Sequence, residues 1–266
     1  MATYVFCLIA GRVRPSVPRT PAGLAGIGPV RLLDVTGEGR GRGLKLWLAV
    51  SEAPLARYSE DAINQRLSDL DWVSRAAIAH EAVVESFSDQ PAVVPMKLLT
   101  IFTSDARALE HLQADRGRVD RVVKRVAGHQ EWGVRVVLTR AQKGGRAPLS
   151  PGARRRDPGP RRSGVAYLAA KKEQRDQSAE IQTHARETVV TLYDRLGDQA
   201  SRAKRRAASE LPVQGGPLLL DAAFLVPRSR SRGFQSLVAR QSKALAARGY
   251  RLALSGPWPP YSFIED

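Results

Sequence analysis

Hydrophobic and polar residues along the first hundred positions predict strands that flank a helix. Three strands are predicted where Val, Ile, Leu and aromatic side chains cluster, at residues 3–10, 30–35 and 44–50. Ser59 predicts a helix N-cap, because acids follow it in the first turn. Apolar residues then recur at helical spacing, at Ile63, Leu67, Leu70, Val73 and Ala77. Residues 83–87 and 93–98 predict two more strands around a Pro-containing turn.

The rest of the chain alternates between predicted helices and strands. Ser104 or Asp105 predicts the start of a second helix, and Gly128 predicts its end. Further strands are predicted at residues 132–138, 207–213, 218–226 and 250–254. Helices are predicted at residues 165–196 and from Phe234 to a stop at Gly249. From residue 132 onward the order is β-α-β-β-α-β, the order of ferredoxin-like domains.

These elements predict an α+β fold of two domains. Residues 1–130 are expected to form an N-terminal α+β domain with a mixed sheet, and residues 131–266 a C-terminal ferredoxin-like domain. The second domain carries an Arg-rich insertion at 140–163 and, at 256–266, a tail rich in Pro and aromatic residues. With 266 residues and a hydrophobic content of 43%, the chain has enough apolar side chains for packed cores.

Positive charge is concentrated in the Arg-rich insertion. The chain carries a net charge of +16, and residues 140–163 hold eight Arg or Lys against one Asp, with four Pro and four Gly. Such a segment buries too little apolar surface to order itself, so we expect it to be exposed and mobile. It is a candidate docking arm for an acidic protein surface, through Arg154, Arg155, Arg156, Arg161 and Arg162.

A nucleic-acid-binding module is the alternative that this charge leaves open. Clustered Arg side chains also bind phosphates, and RNA-recognition domains share the ferredoxin-like order. Those domains stack bases on aromatic residues of their central strands. Here the matching strands offer Trp132 and Phe224, and the K/R-G-F/Y-G/A-F pattern is missing. Nucleic acid is therefore the less favoured partner.

The sequence lacks the common motifs of enzymes and metal sites. It has no phosphate loop, no GxSxG motif and no HExxH motif, since His80-Glu81 is followed by Ala82-Val83-Val84. The single cysteine, Cys7, lies in an apolar run and is expected to be buried. We therefore expect no catalysis, no cofactor and no metal. No stretch approaches about 18 apolar residues, so we expect a cytoplasmic protein with no membrane partner.

The tail is the most distinctive part of the sequence. Pro257, Pro259 and Pro260 prevent it from continuing a helix or an inner strand, and large aromatic residues alternate with them. Such a rigid segment either packs over its own domain or offers its side chains to a partner. The candidate protein-interaction residues in it are Trp258, Pro259, Tyr261 and Phe263.

Seven short sequence segments, spread over nearly the whole chain, together carry a resemblance to a known protein family. The most specific is Leu252-Ala253-Leu254-Ser255-Gly256-Pro257-Trp258-Pro259-Pro260-Tyr261-Ser262-Phe263, in which prolines bracket a tryptophan. The others, in order, are Tyr4-Val5-Phe6, His80-Glu81-Ala82-Val83-Val84, Val93-Val94-Pro95-Met96-Lys97, Glu131-Trp132-Gly133-Val134, Gly164-Val165-Ala166-Tyr167-Leu168 and Ala222-Ala223-Phe224-Leu225-Val226. In this set the chain resembles the GvpL/GvpF family of gas vesicle proteins.

The resemblance implies two α+β domains, the second a modified ferredoxin-like fold, and no catalysis. It implies a minor component or assembly factor of gas vesicles, located in the cytoplasm with the vesicle. Its implied partners are the small, very hydrophobic major shell protein and other accessory proteins. The chain departs from the family at one turn, where a basic residue is usually followed by Phe-Gly-Thr. Here Lys97 is followed by Leu98-Leu99-Thr100, so the turn must form without that glycine.

Overall fold

The computed structural model describes residues 1–17, 21–35, 44–139, 164–206 and 216–265 and shows a mixed α+β fold with two antiparallel sheets. In these residues the strands are β1 (Ala2–Gly11), β2 (Arg31–Asp34), β3 (Lys45–Ala53), β4 (Ala92–Pro95), β5 (Ile101–Phe102), β6 (His129–Leu138), β7 (Arg202–Arg205), β8 (Leu218–Pro227) and β9 (Tyr250–Trp258). The α-helices there are α1 (Leu55–Tyr58), α2 (Glu60–Asn64), α3 (Leu70–Glu85), α4 (Asp105–Ala114), α5 (Arg116–Val126), α6 (Gly164–Gly197) and α7 (Ser231–Ala246).

The chain separates into two compact units. The first unit comprises Met1–Trp132, Leu225–Ser231 and Gly256–Asp266, and the second comprises Gly133–Phe224 and Arg232–Ser255. The tail was expected in the C-terminal domain but clusters with the first unit, because its side chains pack against the cores of that unit. The domain boundary after residue 130 stays a prediction.

The first sheet is built around β1, all ten residues of which are buried. The strand order is β2-β3-β1-β4, with β5 also paired to β1, and every pairing is antiparallel. The expected mixed sheet is therefore wrong. The crossover through α1, α2 and α3 does join two strands of the same direction, β3 and β4. However, β1 lies between them and pairs with both, so no parallel pair forms.

Two core clusters divide the buried side chains of β1, because successive residues of a strand point to opposite faces. The α3-side cluster contains Tyr4, Phe6 and Ile9 together with Val83 and Val84 of α3. The α4/α5-side cluster contains other residues of β1, α4 and α5, namely Val5, Leu8, Ala10, Ala108, Leu112, Val122, Val123 and Val126. The first sheet is thus covered by helices on both faces.

The caps predicted at Ser59 and at Ser104 or Asp105 are confirmed at the two serines, but each of these two predicted helices is a pair of helices in the structure, α2 with α3 and α4 with α5. The hydroxyls of Ser59 and Ser104 cap α2 and α4 by accepting backbone N–H bonds. The strand predicted at residues 83–87 is wrong, since Val83 and Val84 lie near the end of α3 on its buried side. A short run of apolar residues has the same appearance on a buried helix face as in a strand.

The second sheet has the order β7-β8-β6-β9, with α6 between β6 and β7 and α7 between β8 and β9. The long helix and the strands predicted at 132–138, 218–226 and 250–254 are confirmed within a few residues. The strand predicted at 207–213 lies outside the described residues. The charged sequence of β7, Arg-Ala-Lys-Arg, carries no apolar strand pattern and was not predicted.

A buried chain of hydrogen bonds joins β1, α3 and the turn after β4. The Leu99 N–H donates to Tyr4 Oη (3.2 Å), which lies 2.7 Å from His80 Nδ1. His80 Nε2 lies 3.2 Å from the Met96 carbonyl oxygen. Because that carbonyl only accepts, Nε2 carries a proton. Burial disfavours the charged imidazolium and lowers the pKa of His80 to about 4, so at neutral pH Nδ1 is unprotonated and accepts from the Tyr4 hydroxyl.

Leu99 lies in the turn after β4, at the position where the family that the chain resembles usually has glycine. Its φ of 65° lies in the left-handed region, and the Thr100 N–H closes the turn on the Lys97 carbonyl oxygen at 3.1 Å. Left-handed backbone costs a non-glycine residue roughly 1–2 kcal/mol. Leu99 therefore holds a backbone conformation that favours glycine, at that cost.

Replacing Leu99 by glycine should therefore be less harmful than the same change at its neighbour. Leu98 is also half-buried but has no positive φ. We expect Leu99→Gly to leave the free energy of unfolding about 1–2 kcal/mol above that of Leu98→Gly. Urea denaturation of the two variants measures the difference. Equal losses would show that the turn carries no such strain.

Acidification should destabilise the first unit through His80. Between pH 6.5 and pH 4 the unfolded chain binds this proton more readily than the folded chain, so stability falls as the pH falls. The loss reaches about 3 kcal/mol at the lower limit. His80→Gln should lower stability at neutral pH and flatten the dependence across this window. His111→Gln, outside the network, is the control, and parallel pH curves for all three chains would contradict the assignment.

Candidate interaction surface

The tail predicted to contact partners is packed onto the first unit. Pro259 and Phe263 are buried, and Tyr261 is half-buried against the α3-side cluster. Ile264 packs against the α4/α5-side cluster, so the tail touches both cores of this unit. Trp258 remains 36% exposed. Of the four candidate tail residues, Trp258 therefore presents the largest free side-chain surface.

The buried carboxylate of Glu131 holds the tail in place. Its two oxygens accept the Ser262 N–H and the Ser262 hydroxyl, both at 2.7 Å. Glu131 is 4% exposed, and hydrogen bonds to an ionised carboxylate are stronger than neutral ones. Gly256 opens the tail with a φ of 110°, and a Cβ there would lie 2.8 Å from the Glu131 carbonyl oxygen. This close approach requires glycine.

Two basic side chains hold the end of the described tail. Arg125 Nη1 donates to the carbonyl oxygens of Phe263 (3.0 Å) and Glu265 (3.3 Å). Lys97 Nζ lies 2.9 Å from Glu265 Oε1 in an exposed ion pair. The Arg125 bonds supply donors to a backbone that has no strand partner there. The tail is thus fixed by directed polar bonds as well as by apolar packing.

The sequence identified the tail but missed the groups that hold it. Glu131 stood out only as part of the block Glu131-Trp132-Gly133-Val134, and Arg125 had no signal beyond its charge. The five candidate arginines of the insertion, at 154–156 and 161–162, lie outside the described residues. The interaction role of the nine candidate residues stays a prediction.

A second apolar surface lies on the outer side of α3. Leu70 and Ile78 are 79% and 67% exposed, and Leu67, just before the helix, is 48% exposed. Leu70, Ser74 and Ile78 are spaced i, i+4, i+8 and are therefore neighbours along the helix. We call Leu67, Leu70, Ser74, Ala77 and Ile78 the α3 outer row. Sequence periodicity had placed Leu67 and Leu70 in an apolar stripe, but α3 buries Ala76, His80, Val83 and Val84 instead.

In the described residues, the candidates for a reactive or metal-binding group are Cys7 and the His, Asp and Glu side chains. Burial raises the pKa of the Cys7 thiol, which keeps it protonated and inert. The expected burial of Cys7 is confirmed. Within the described ranges no three His, Cys, Asp or Glu side chains are grouped to hold a metal ion. Over the same ranges no helix is long and apolar enough to cross a membrane.

Neutralising Glu131 should loosen the tail. Glu131→Gln keeps the shape of the side chain but turns an NH₂ group towards one of the two Ser262 donors. We expect a loss of about 1–3 kcal/mol and faster amide hydrogen exchange in residues 256–265. Glu110→Gln, which removes an exposed ion pair with Arg107, is the matched control and should change little. Unchanged exchange in the tail of Glu131→Gln would contradict the role given to this carboxylate.

Comparison with known proteins places the whole chain in one family. Residues 2–265 match the family model described as gas vesicle synthesis protein GvpL/GvpF. The chain is 32% identical to gas vesicle protein L of Streptomyces sp. (strain CB03234) over 98% of this chain and 91% of that protein. It is 28% identical to gas vesicle protein F of the same strain over the full length of both.

Two solved structures share the fold at low sequence identity. The crystal structure of GvpF from Anabaena sp. PCC7120 aligns with a TM-score of 0.65 and 16% identity, over 100% of this chain and 96% of that one. GvpF from Microcystis aeruginosa aligns with a TM-score of 0.64 and 11% identity, over 100% and 99%. The chain therefore belongs to the GvpL/GvpF family of gas vesicle proteins.

Proposed function

We propose that this chain is an accessory protein that binds the apolar shell subunit while the gas vesicle forms, and that the α3 outer row is the contact. The observation that carries the proposal is the exposure of Leu70 and Ile78 on one helix face. A shell subunit that turns an apolar face to gas must be shielded from water before it is laid down. Exposed apolar residues that lie together, unlike single scattered ones, mark surfaces that bind other proteins.

The tail has a supporting part in this proposal. Pro259, Tyr261 and Phe263 contribute from inside the first unit, where they fix the segment that carries Trp258. Trp258 is the tail side chain offered to the partner, since a large aromatic residue gives much contact area at little entropic cost. In this proposal only Trp258 of the tail contacts the partner, whereas the sequence alone also suggested Pro259, Tyr261 and Phe263 as candidate contacts.

The basic insertion is proposed to speed the encounter with acidic partner surfaces. The candidates are Arg154, Arg155, Arg156, Arg161 and Arg162. Charges of this kind raise association rates at low salt more than they raise affinity. Other gas vesicle accessory proteins are the partners on which this steering would act.

We also propose that the second unit is a modified ferredoxin-like domain. The β-α-β-β-α-β element order supports this, as does the sheet order β7-β8-β6-β9, in which the first and third strands of the domain are central. This domain then carries the Arg-rich insertion, which lies in the sequence between β6 and α6.

Removing the apolar side chains of the α3 outer row should weaken capture of the shell subunit. The double variant Leu70→Ser with Ile78→Ser changes two exposed positions, so the fold should persist. We expect roughly tenfold weaker binding to immobilised shell subunit, the size of effect that loss of two apolar contacts gives. Trp258→Ala should cause a smaller loss.

The matched control is Val13→Ser with Val190→Ser, which also removes two exposed aliphatic side chains, at 74% and 44% exposure. Circular dichroism and thermal melting verify that all variants stay folded. Full capture by the Leu70/Ile78 variant, or an equal loss in the control, would overturn the assignment of the contact to the α3 outer row.

A further inference from the structure

A half-open, mostly apolar cavity of about 300 Å³ lies in the first unit between the sheet and helices α4 and α5. Its walls are mostly aliphatic and include Val5, Leu8 and Leu48 from the sheet and Leu112 and Val122 from the helices. An apolar cavity of about 150 Å³ already binds benzene. This cavity is twice that size and is therefore large enough for a small apolar or amphipathic molecule.

Six polar or charged side chains also line this cavity. They are Lys97, Thr100, His111, Asp115, Arg118 and Glu265. Lys97 Nζ pairs with Glu265 Oε1 at 2.9 Å, but the two side chains are 79% and 54% exposed, so the pair is easily exchanged. Arg118 lies 3.6 Å from Asp115. An apolar chamber with a cationic group at its edge has the layout of a site for an amphipathic anion.

The tail places an aliphatic side chain and a carboxylate side by side at this cavity. Ile264 packs its aliphatic side chain against the α4/α5-side cluster, and the next residue places its carboxylate on Lys97. Both residues line the cavity. Ile264 and Glu265 thus present an aliphatic group followed by a carboxylate, which acts as an internal stand-in for a ligand of that type.

We propose that this cavity binds an aliphatic carboxylate of about eight to twelve carbon atoms. The hydrocarbon chain lies between the sheet and the two helices, and the ligand carboxylate replaces Glu265 at Lys97. The cavity volume sets the chain length, and the Lys97 ammonium selects the acid over a neutral molecule of the same length. This site goes beyond the gas vesicle role and does not depend on it, since none of its lining residues belongs to the α3 outer row.

Titration of the full chain with sodium decanoate, followed by calorimetry and by amide chemical shifts, tests this proposal. Hexanoate and hexadecanoate bracket the expected chain length, and decanol tests the carboxylate. We expect decanoate to bind more tightly than either bracketing acid and more tightly than decanol. Shift changes should be centred on β1, α4 and α5.

Three variants assign the binding to this cavity. Lys97→Gln, at an exposed position, should weaken decanoate about fivefold and leave decanol unchanged. Glu265→Gln removes the internal competitor and should strengthen decanoate. Val119→Phe fills the cavity and should abolish binding, whereas Val13→Phe at an exposed site should not.

Absence of binding at every chain length would overturn the proposal, as would decanoate binding that survives Val119→Phe in a folded variant. Equal binding of decanol and decanoate, with no effect of Lys97→Gln, would overturn the assignment of a carboxylate. None of these results bears on capture of the shell subunit, which is measured separately with the Leu70/Ile78 variant.

Discussion

The burial of β1 on both faces is the constraint on which the first unit depends. A central strand with ten buried residues needs apolar cover above and below, and no single helix supplies both. One layer comes from α3 and the other from α4 and α5. The tail completes both layers, because Tyr261 joins one cluster and Ile264 the other. A segment distant in sequence is thereby tied to the first strand of the chain.

Because most of the tail side chains pack into the first unit, they are not free to contact a partner. Side chains that complete a core cannot leave it without exposing the apolar residues beneath them. Glu131 and Arg125 add directed bonds that resist such a release. The α3 outer row does not cover the core of its own unit. Leu70 and Ile78 remain exposed, while the opposite side of the helix is buried. The residues that cover the core thus differ from those proposed to contact a partner.

Local sequence signals predicted the local structure well. The apolar run of β1, the Ser104 cap and the long helix α6 follow directly from residue type and spacing. The direction of strand pairing depends on the position of β1 between β3 and β4. The spacing of apolar residues in the sequence does not show which strands are neighbours, and for this reason the sheet was wrongly expected to be mixed. Val83 and Val84 favoured a strand because burial of a helix face produces the same short apolar run. The Glu131 contact with Ser262 spans 131 positions, which no local pattern reveals.

In the proposed function α3, and not the tail as a whole, contacts the shell subunit. Hydrogen–deuterium exchange of the chain with and without shell subunit tests it most directly. We expect added protection in the peptides that cover α3, little change in residues 259–265, and no change in β1, all residues of which are already buried. Protection confined to the tail, with α3 exchanging as in the free protein, would contradict it.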